Sequence, residues 1–170
     1  MKALTLHQPW ASLIAVGAKT IETRSWSTKY RGPIAIHAGR REPFTDLLMA
    51  RALRWTGGEW SVEYGGREDR RWFMAQNVVD GPVKDAVDAF PLPLGAVVAT
   101  AQLVDVVQMG WGVESRPPFL SVHGRRRHIA TEFPFGDFRC GRFAWLLENI
   151  EPLAVPVPAK GKQGLWTWAA

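Results

Sequence analysis

The run from Gly95 to Met109 constrains what this chain can fold into more than any other segment. In an extended chain successive side chains alternate faces. Ala96, Val98, Thr100, Gln102, Val104 and Val106 then point one way, and Val97, Ala99, Ala101, Leu103, Asp105 and Val107 the other. Two mostly apolar faces require cover on both sides of the first half, as in a closed or covered sheet. Shorter strands are predicted at Lys2–Leu6, Thr20–Ser25, Pro33–His37, Phe143–Leu153 and Leu165–Ala169. Pro9 suits the first position of a helix, where its missing N–H costs nothing. Trp10, Leu13 and Ile14 follow at helical spacing, and Gly17 is placed to cap the end.

Phe44–Trp55 also suits a helix, with Leu47, Leu48, Arg51 and Ala52 forming one stripe. From Thr56 to Pro93 the pattern degrades into glycine pairs, clustered charge and prolines. Short helices are predicted there around Asp69–Gln76 and Val83–Phe90, within an excursion long enough to be a lid, a binding loop or an insert. Gly110–Arg142 is read as a second irregular stretch carrying Arg125, Arg126 and Arg127. Those three can grip a phosphate backbone or simply be solvated. The predicted class is α+β, mainly β: a small barrel flanked by helices, with a long insert, in one domain over residues 1–170.

At 170 residues the chain suits one sizeable core. No apolar run approaches the ~20 residues of a membrane span. The lone Cys140 cannot form an internal disulfide, and no leader pattern opens the chain, so a reducing, cytoplasmic setting is expected. The net charge of +5 is uneven. Residues 1–41 hold seven Lys/Arg against Glu22 alone, a balance of +6. Such an excess favours an anionic partner, nucleic acid among them, although basic charge also serves solubility. The four histidines show no metal-ligand spacing with Cys140, and no glycine-rich phosphate loop is present, so neither a metal nor a cofactor is expected.

That positive excess surrounds Gly17-Ala-Lys-Thr-Ile-Glu-Thr-Arg24. On a strand, Thr20, Glu22, Arg24 and Trp26 share one side, with Lys19 at the entrance, while Ile21, Thr23 and Ser25 take the other. An ammonium, a carboxylate, a guanidinium and an indole converging on one surface can form a binding site. The same residues can also be an ordinary exposed ion pair of ~0.2–1 kcal/mol. Trp10 and Trp26 can stack on a base or bury themselves at the helix contact.

Six segments in order carry a resemblance. They are Leu-His-Gln-Pro-Trp at 6–10, the Lys19 segment at 17–24, and Tyr-Arg-Gly-Pro-Ile-Ala-Ile-His-Ala-Gly at 30–39. Gly-Ala-Val-Val-Ala-Thr-Ala-Gln-Leu-Val-Asp at 95–105, Gly-Arg-Phe-Ala-Trp-Leu-Leu-Glu-Asn at 141–149 and Lys-Gly-Lys-Gln-Gly-Leu-Trp at 160–166 complete the set. Together they resemble the ASCH domain family of the PUA-like superfamily, whose hallmark is Gly-x-Lys-Thr-x-Glu-x-Arg. The resemblance implies a barrel of about six strands, with a cleft beside the first helix that takes RNA or a nucleoside. It places Lys19, Glu22 and Arg24 at the cleft's centre and Gln8, Trp26, Tyr30, Arg31, Lys160 and Lys162 on its flanks. The partner is then RNA or a nucleotide or nucleoside, with no membrane and with protein partners undetermined.

Some small bacterial members resemble amidohydrolases acting on acylated cytidine, through a lysine and a threonine of one segment and a separate glutamate. On this chain the lysine falls at Lys19, but Glu22 holds the threonine position; Glu148 is the candidate for the separate glutamate. Another member resembles a ribonuclease. In either hydrolytic reading Lys19 and Glu22 would be the catalytic pair, with Glu22 as base and Lys19 polarising a carbonyl.

Overall fold

The computed structural model describes residues 1–8, 10–41, 93–110 and 135–169, residues 129 and 132, and the backbone of five short strands. Eleven strands and one helix are described, in the order β1 Lys2–Leu6, α1 Trp10–Ala15, β2 Ile21–Arg24, β3 Gly32–Ala38, β4 Leu53–Thr56 and β5 Glu59–Val62. Next come β6 Phe73–Ala75, β7 Ala96–Gln108, β8 Phe119–Val122, β9 Arg125–His128, β10 Phe143–Pro158 and β11 Leu165–Thr167. Six of them form the main sheet, ordered β11-β1-β3-β7-β10-β2. Only β1 and β3 run parallel within it, and α1 lies on the connection between β1 and β2. The architecture is mainly β, with β2 and β11 as the two edges of a curled half-barrel.

The long run read as a doubly covered strand is β7, and its first half is buried on both faces. Leu4 and Leu6 of β1, Ile34 and Ile36 of β3, Leu103 of β7 and Trp145 and Leu147 of β10 meet Ala11 and Ile14 of α1 in one core. Ala3, Ala35, Val97, Trp166 and Trp168 close a second cluster. Ile21, Met109, Ile129, Phe138, Ala144 and Leu146 close a third, beneath the edge strand β2. β10 reaches Pro158, beyond the predicted end at Leu153, because it follows β7 through several register shifts. One shift falls between Glu148 and Glu151, where Asn149 takes φ 47°. Asparagine tolerates that left-handed geometry, and such irregularities bend and twist a strand.

Three expectations are corrected. The helix read over Phe44–Trp55 ends in error, since Leu53–Thr56 is a strand paired with β5. Phe73–Ala75 is likewise a strand where a helix was read around Asp69–Gln76. Pairing with β5 outweighs the helical pattern in both places. The Val83–Phe90 helix lies outside the described residues. The triple arginine, read as loop, is β9, which pairs with β8. Among the described residues no helix is long and apolar enough to cross a membrane.

Candidate functional site

Lys19 is delivered to its position by the way α1 ends. Gly17 adopts φ 76°, open to glycine and strained for other residues. The Lys19 amide then donates to Leu13 O at 3.0 Å, folding the chain back so that β2 starts against β10. Ladder pairing sets Glu22 opposite Trp145, a member of the α1-side core, whereas Ile21 lies opposite Leu146 in the cluster beneath β2. The alternation read from the sequence therefore holds.

The three hallmark charges do meet. Lys19 Nζ lies 3.3 Å from Glu22 Oε2, and Glu22 Oε1 lies 3.5 Å from the Arg24 guanidinium. They form a row graded in burial, since Lys19 is 0 % exposed, Glu22 7 %, and the Arg24 side chain 25 %. Beyond Glu22, the Lys19 ammonium donates to Ile21 O at 2.5 Å and to Phe135 O at 2.6 Å. Two of its protons thus have carbonyl acceptors, and the Glu22 carboxylate balances its charge at ion-pair distance. A buried ammonium in this setting balances charge inside the fold, because an unpaired one is costly.

Arg24 sits 5.6 Å from the centroid of the Trp26 ring. Trp26 in turn meets Trp145 edge-to-face at 4.6 Å, and its carbonyl accepts a bond from Trp145 Nε1 at 3.3 Å. A half-buried indole is therefore packed against a fully buried one, with a guanidinium near its ring.

The remaining predicted site residues divide. Gln8 is fully buried; its Oε1 accepts from the Ser12 amide at 3.1 Å and its Nε2 donates to Ser12 Oγ and Pro93 O. Its side chain braces α1 and has no face toward solvent. Arg31 is exposed and donates to Asp105 at 2.9 Å and to the carbonyls of Thr28 and Tyr30. Tyr30 donates its hydroxyl to Pro33 O at 2.5 Å. Both residues pin the turn between β2 and β3, on the same chain segment as Arg24 and Trp26.

Lys160 and Lys162 are exposed but follow the far end of β10, whose Pro158 pairs with Ala96. The Lys19 strand meets β10 at Leu146, which pairs with Asp105. Along β7 those positions lie ~30 Å of strand path apart at ~3.3 Å per residue. The segment that carries them instead borders His37 through Gly161. Gly161 between them is packed so closely that a Cβ would fall 2.4 Å from His37 Cε1.

Sequence reasoning missed Glu132. It is 5 % exposed and accepts from the Thr20 amide at 2.9 Å, the Thr20 hydroxyl at 2.5 Å and the Ile21 amide at 3.3 Å. Glu148, the candidate named from the sequence, is exposed opposite Gln102 in the ladder. No spacing links Glu132 to Thr20 across 112 residues, so nothing in the sequence signalled it. Among the described residues no cluster of His, Cys, Asp and Glu could hold a metal.

A model of the ASCH domain matches residues 4–109. Over 40 residues, 24% of this chain, it is 50% identical to activating signal cointegrator 1 of Homo sapiens. The same holds for activating signal cointegrator 1 of Mus musculus. The matched stretch covers 7% of the length of each of these relatives. A crystal structure of the ASCH protein from Zymomonas mobilis aligns over 99% of this chain and 87% of its own, at 18% identity and a TM-score of 0.46. A tyrosine-to-phenylalanine variant of that protein aligns over 99% and 89%, at 18% identity and a TM-score of 0.48.

Proposed function

This chain belongs to the ASCH domain family, and on that premise we propose that it binds single-stranded RNA or a nucleoside at the Lys19–Glu22–Arg24 row. The observation that carries the reading is the outer end of that row. Arg24 is partly exposed beside the half-buried Trp26, with the Glu22 carboxylate recessed behind it. An indole offers a stacking face to any base, and a guanidinium pairs with a phosphate or a base edge. A recessed carboxylate accepts from an exocyclic amine. The positive balance of residues 1–41 draws a polyanion to this region.

The geometry favours binding over hydrolysis. For Lys19 to act as nucleophile or base it must present a lone pair to a substrate, but it is fully buried, with Nζ bonded to two carbonyls and ion-paired to Glu22. Glu22 is also flanked by two cations, so both of its oxygens are already engaged in ion pairs.

Fluorescence anisotropy with a labelled single-stranded oligoribonucleotide tests the reading. Trp26→Ala should weaken retention by the ~1–3 kcal/mol of a stacked base. Arg24→Ala should weaken it and lower its salt dependence. If both variants retain the oligonucleotide as the unaltered protein does, the site is elsewhere. If the variants bind normally but release acyl groups from an acylated cytidine more slowly, hydrolysis is the better account.

A further inference from the structure

One acceptor of the Lys19 ammonium does not belong to the Lys19 turn. Ile21 O and Glu22 lie two and three residues away, but Phe135 O comes from a segment 116 residues further on. That segment is laid along β2, one of the two edge strands of the main sheet. Glu132 bonds the Thr20 hydroxyl and the amides of Thr20 and Ile21. The Asp137 amide donates to Thr23 Oγ1 at 2.9 Å, and Arg142 donates to Thr23 O at 3.2 Å. Phe138 enters the cluster beneath β2. Gly136 packs so tightly that a Cβ would fall 2.7 Å from Phe138 Cε2 and 2.9 Å from Thr23 Cγ2.

We propose that Glu132 and residues 135–142 form a strap that closes the Lys19–Glu22 site, with the Phe135 carbonyl standing where a ligand oxygen binds. The proposal rests on the reading of that row as a binding site. Lifting the strap leaves one ammonium proton unpaired beside Glu22 and Arg24, and a phosphate or base-carbonyl oxygen restores its partner. The contacts that hold the strap to β2 are mostly hydrogen bonds at a sheet edge, with Phe135 and Phe138 as buried aromatics and its far end bonded to Met109. Such a unit opens independently of the main core. A ligand that binds only the open form shifts that equilibrium by its differential affinity.

Gly136→Leu should lift the strap, because Phe138 and Thr23 are both buried and leave no room for the new side chain. Brief acylation with acetic anhydride, read by peptide mass spectrometry, reports on Lys19. In the unaltered protein Lys19 should react far more slowly than the exposed Lys29, Lys160 and Lys162. In Gly136→Leu, or in Glu132→Ala, its labelling should rise about tenfold or more, the change that ~1.4 kcal/mol of opening produces. Circular dichroism confirms that each variant remains folded.

Amide exchange of the unaltered protein gives the same answer without a variant. The Asp137, Thr20 and Ile21 amides, which close the strap, should exchange faster than the Leu147 amide, which bonds Thr20 O within the sheet. Exchange of all four at one slow rate, or Lys19 labelling unchanged in folded variants, overturns the strap. Oligoribonucleotide binding is measured alongside. Raised labelling without RNA binding keeps the strap and removes the RNA reading; RNA binding with unchanged labelling does the reverse.

Discussion

At the residue scale, the informative feature is that a lysine, two glutamates and an arginine are gathered at an edge strand, each with a polar partner. Lys19 and Glu22 are a buried pair, and breaking such a pair is costly because the surviving partner stays desolvated. Glu22→Gln should lower stability by about 3 kcal/mol, at the low end for buried pairs, since two carbonyls still hold the ammonium. Urea denaturation with an unchanged slope and a lower midpoint would show it. An unchanged midpoint would mean that Glu22 contributes nothing to the pair.

His37 supplies a second residue-scale prediction. It is 1% exposed, Nε2 meets Ala159 O at 3.0 Å, and Nδ1 is buried with no partner. A carbonyl partner requires the proton on Nε2, so the neutral ring fits and a second proton at Nδ1 does not. Burial holds its pKa below the ordinary 6.5; the charge of Arg40 acts in the same direction, while the Ala159 carbonyl opposes them. As pH falls, the unfolded chain takes up the proton first. The stabilising contribution is therefore complete above the unfolded value and is lost as pH falls from there through the folded pKa. Melting temperature should drop as pH falls below the ordinary imidazole value of 6.5, and His37→Gln should flatten that slope. Asp137, held low chiefly by its bond to Arg139, contributes only in the more acid range.

At the element scale, β1, β3 and the segment after β10 are locked together through one glycine. A Cβ at Gly161 would meet His37 Nδ1 at 2.6 Å and Thr5 Oγ1 at 2.8 Å. Neither neighbour can retreat, because His37 packs edge-to-face on Trp166 and Thr5 Oγ1 accepts from Trp166 Nε1 at 3.1 Å. Gly161→Ala should therefore destabilise by ~1–3 kcal/mol, the usual range for overpacking. Thermal unfolding checks it, and a melting temperature equal to that of the unaltered protein would show that the cradle yields.

For the whole molecule, the two ends of the chain complete one sheet. β11 pairs antiparallel with β1, Trp168 N donates to Met1 O at 2.9 Å, and Trp166 and Trp168 cover Ala3, Ala35 and Val97. Removing residues 164–170 would uncover that cluster and leave β1 as an unpaired edge. Each buried tryptophan lost costs ~3–5 kcal/mol, and two together match the whole stability of an ordinary domain. The truncated chain should show no cooperative unfolding transition by calorimetry, whereas Trp166→Ala alone should retain one at a lower temperature.

How much was legible in the sequence follows from the range of the forces involved. β1, β3 and β7, the cap at Gly17 and the shared side of Glu22 and Arg24 were readable because local periodicity and glycine conformation act over a few residues. The family was readable because its motifs keep their order along the chain. Helical pattern misled at Leu53–Thr56 and Phe73–Ala75, where pairing with the neighbouring strand β5 outweighs it. Local pattern also could not separate Lys160 and Lys162 from the Lys19 row, since that distance is set by the course of β7 and β10.

The sequence by itself determined which charges stand near one another on β2. Tertiary structure alone decided that Lys19 is enclosed, because its acceptor at Phe135 and the carboxylate of Glu132 arrive from more than 110 residues away. Burial depends on what packs over a residue, and no spacing within the motif records that.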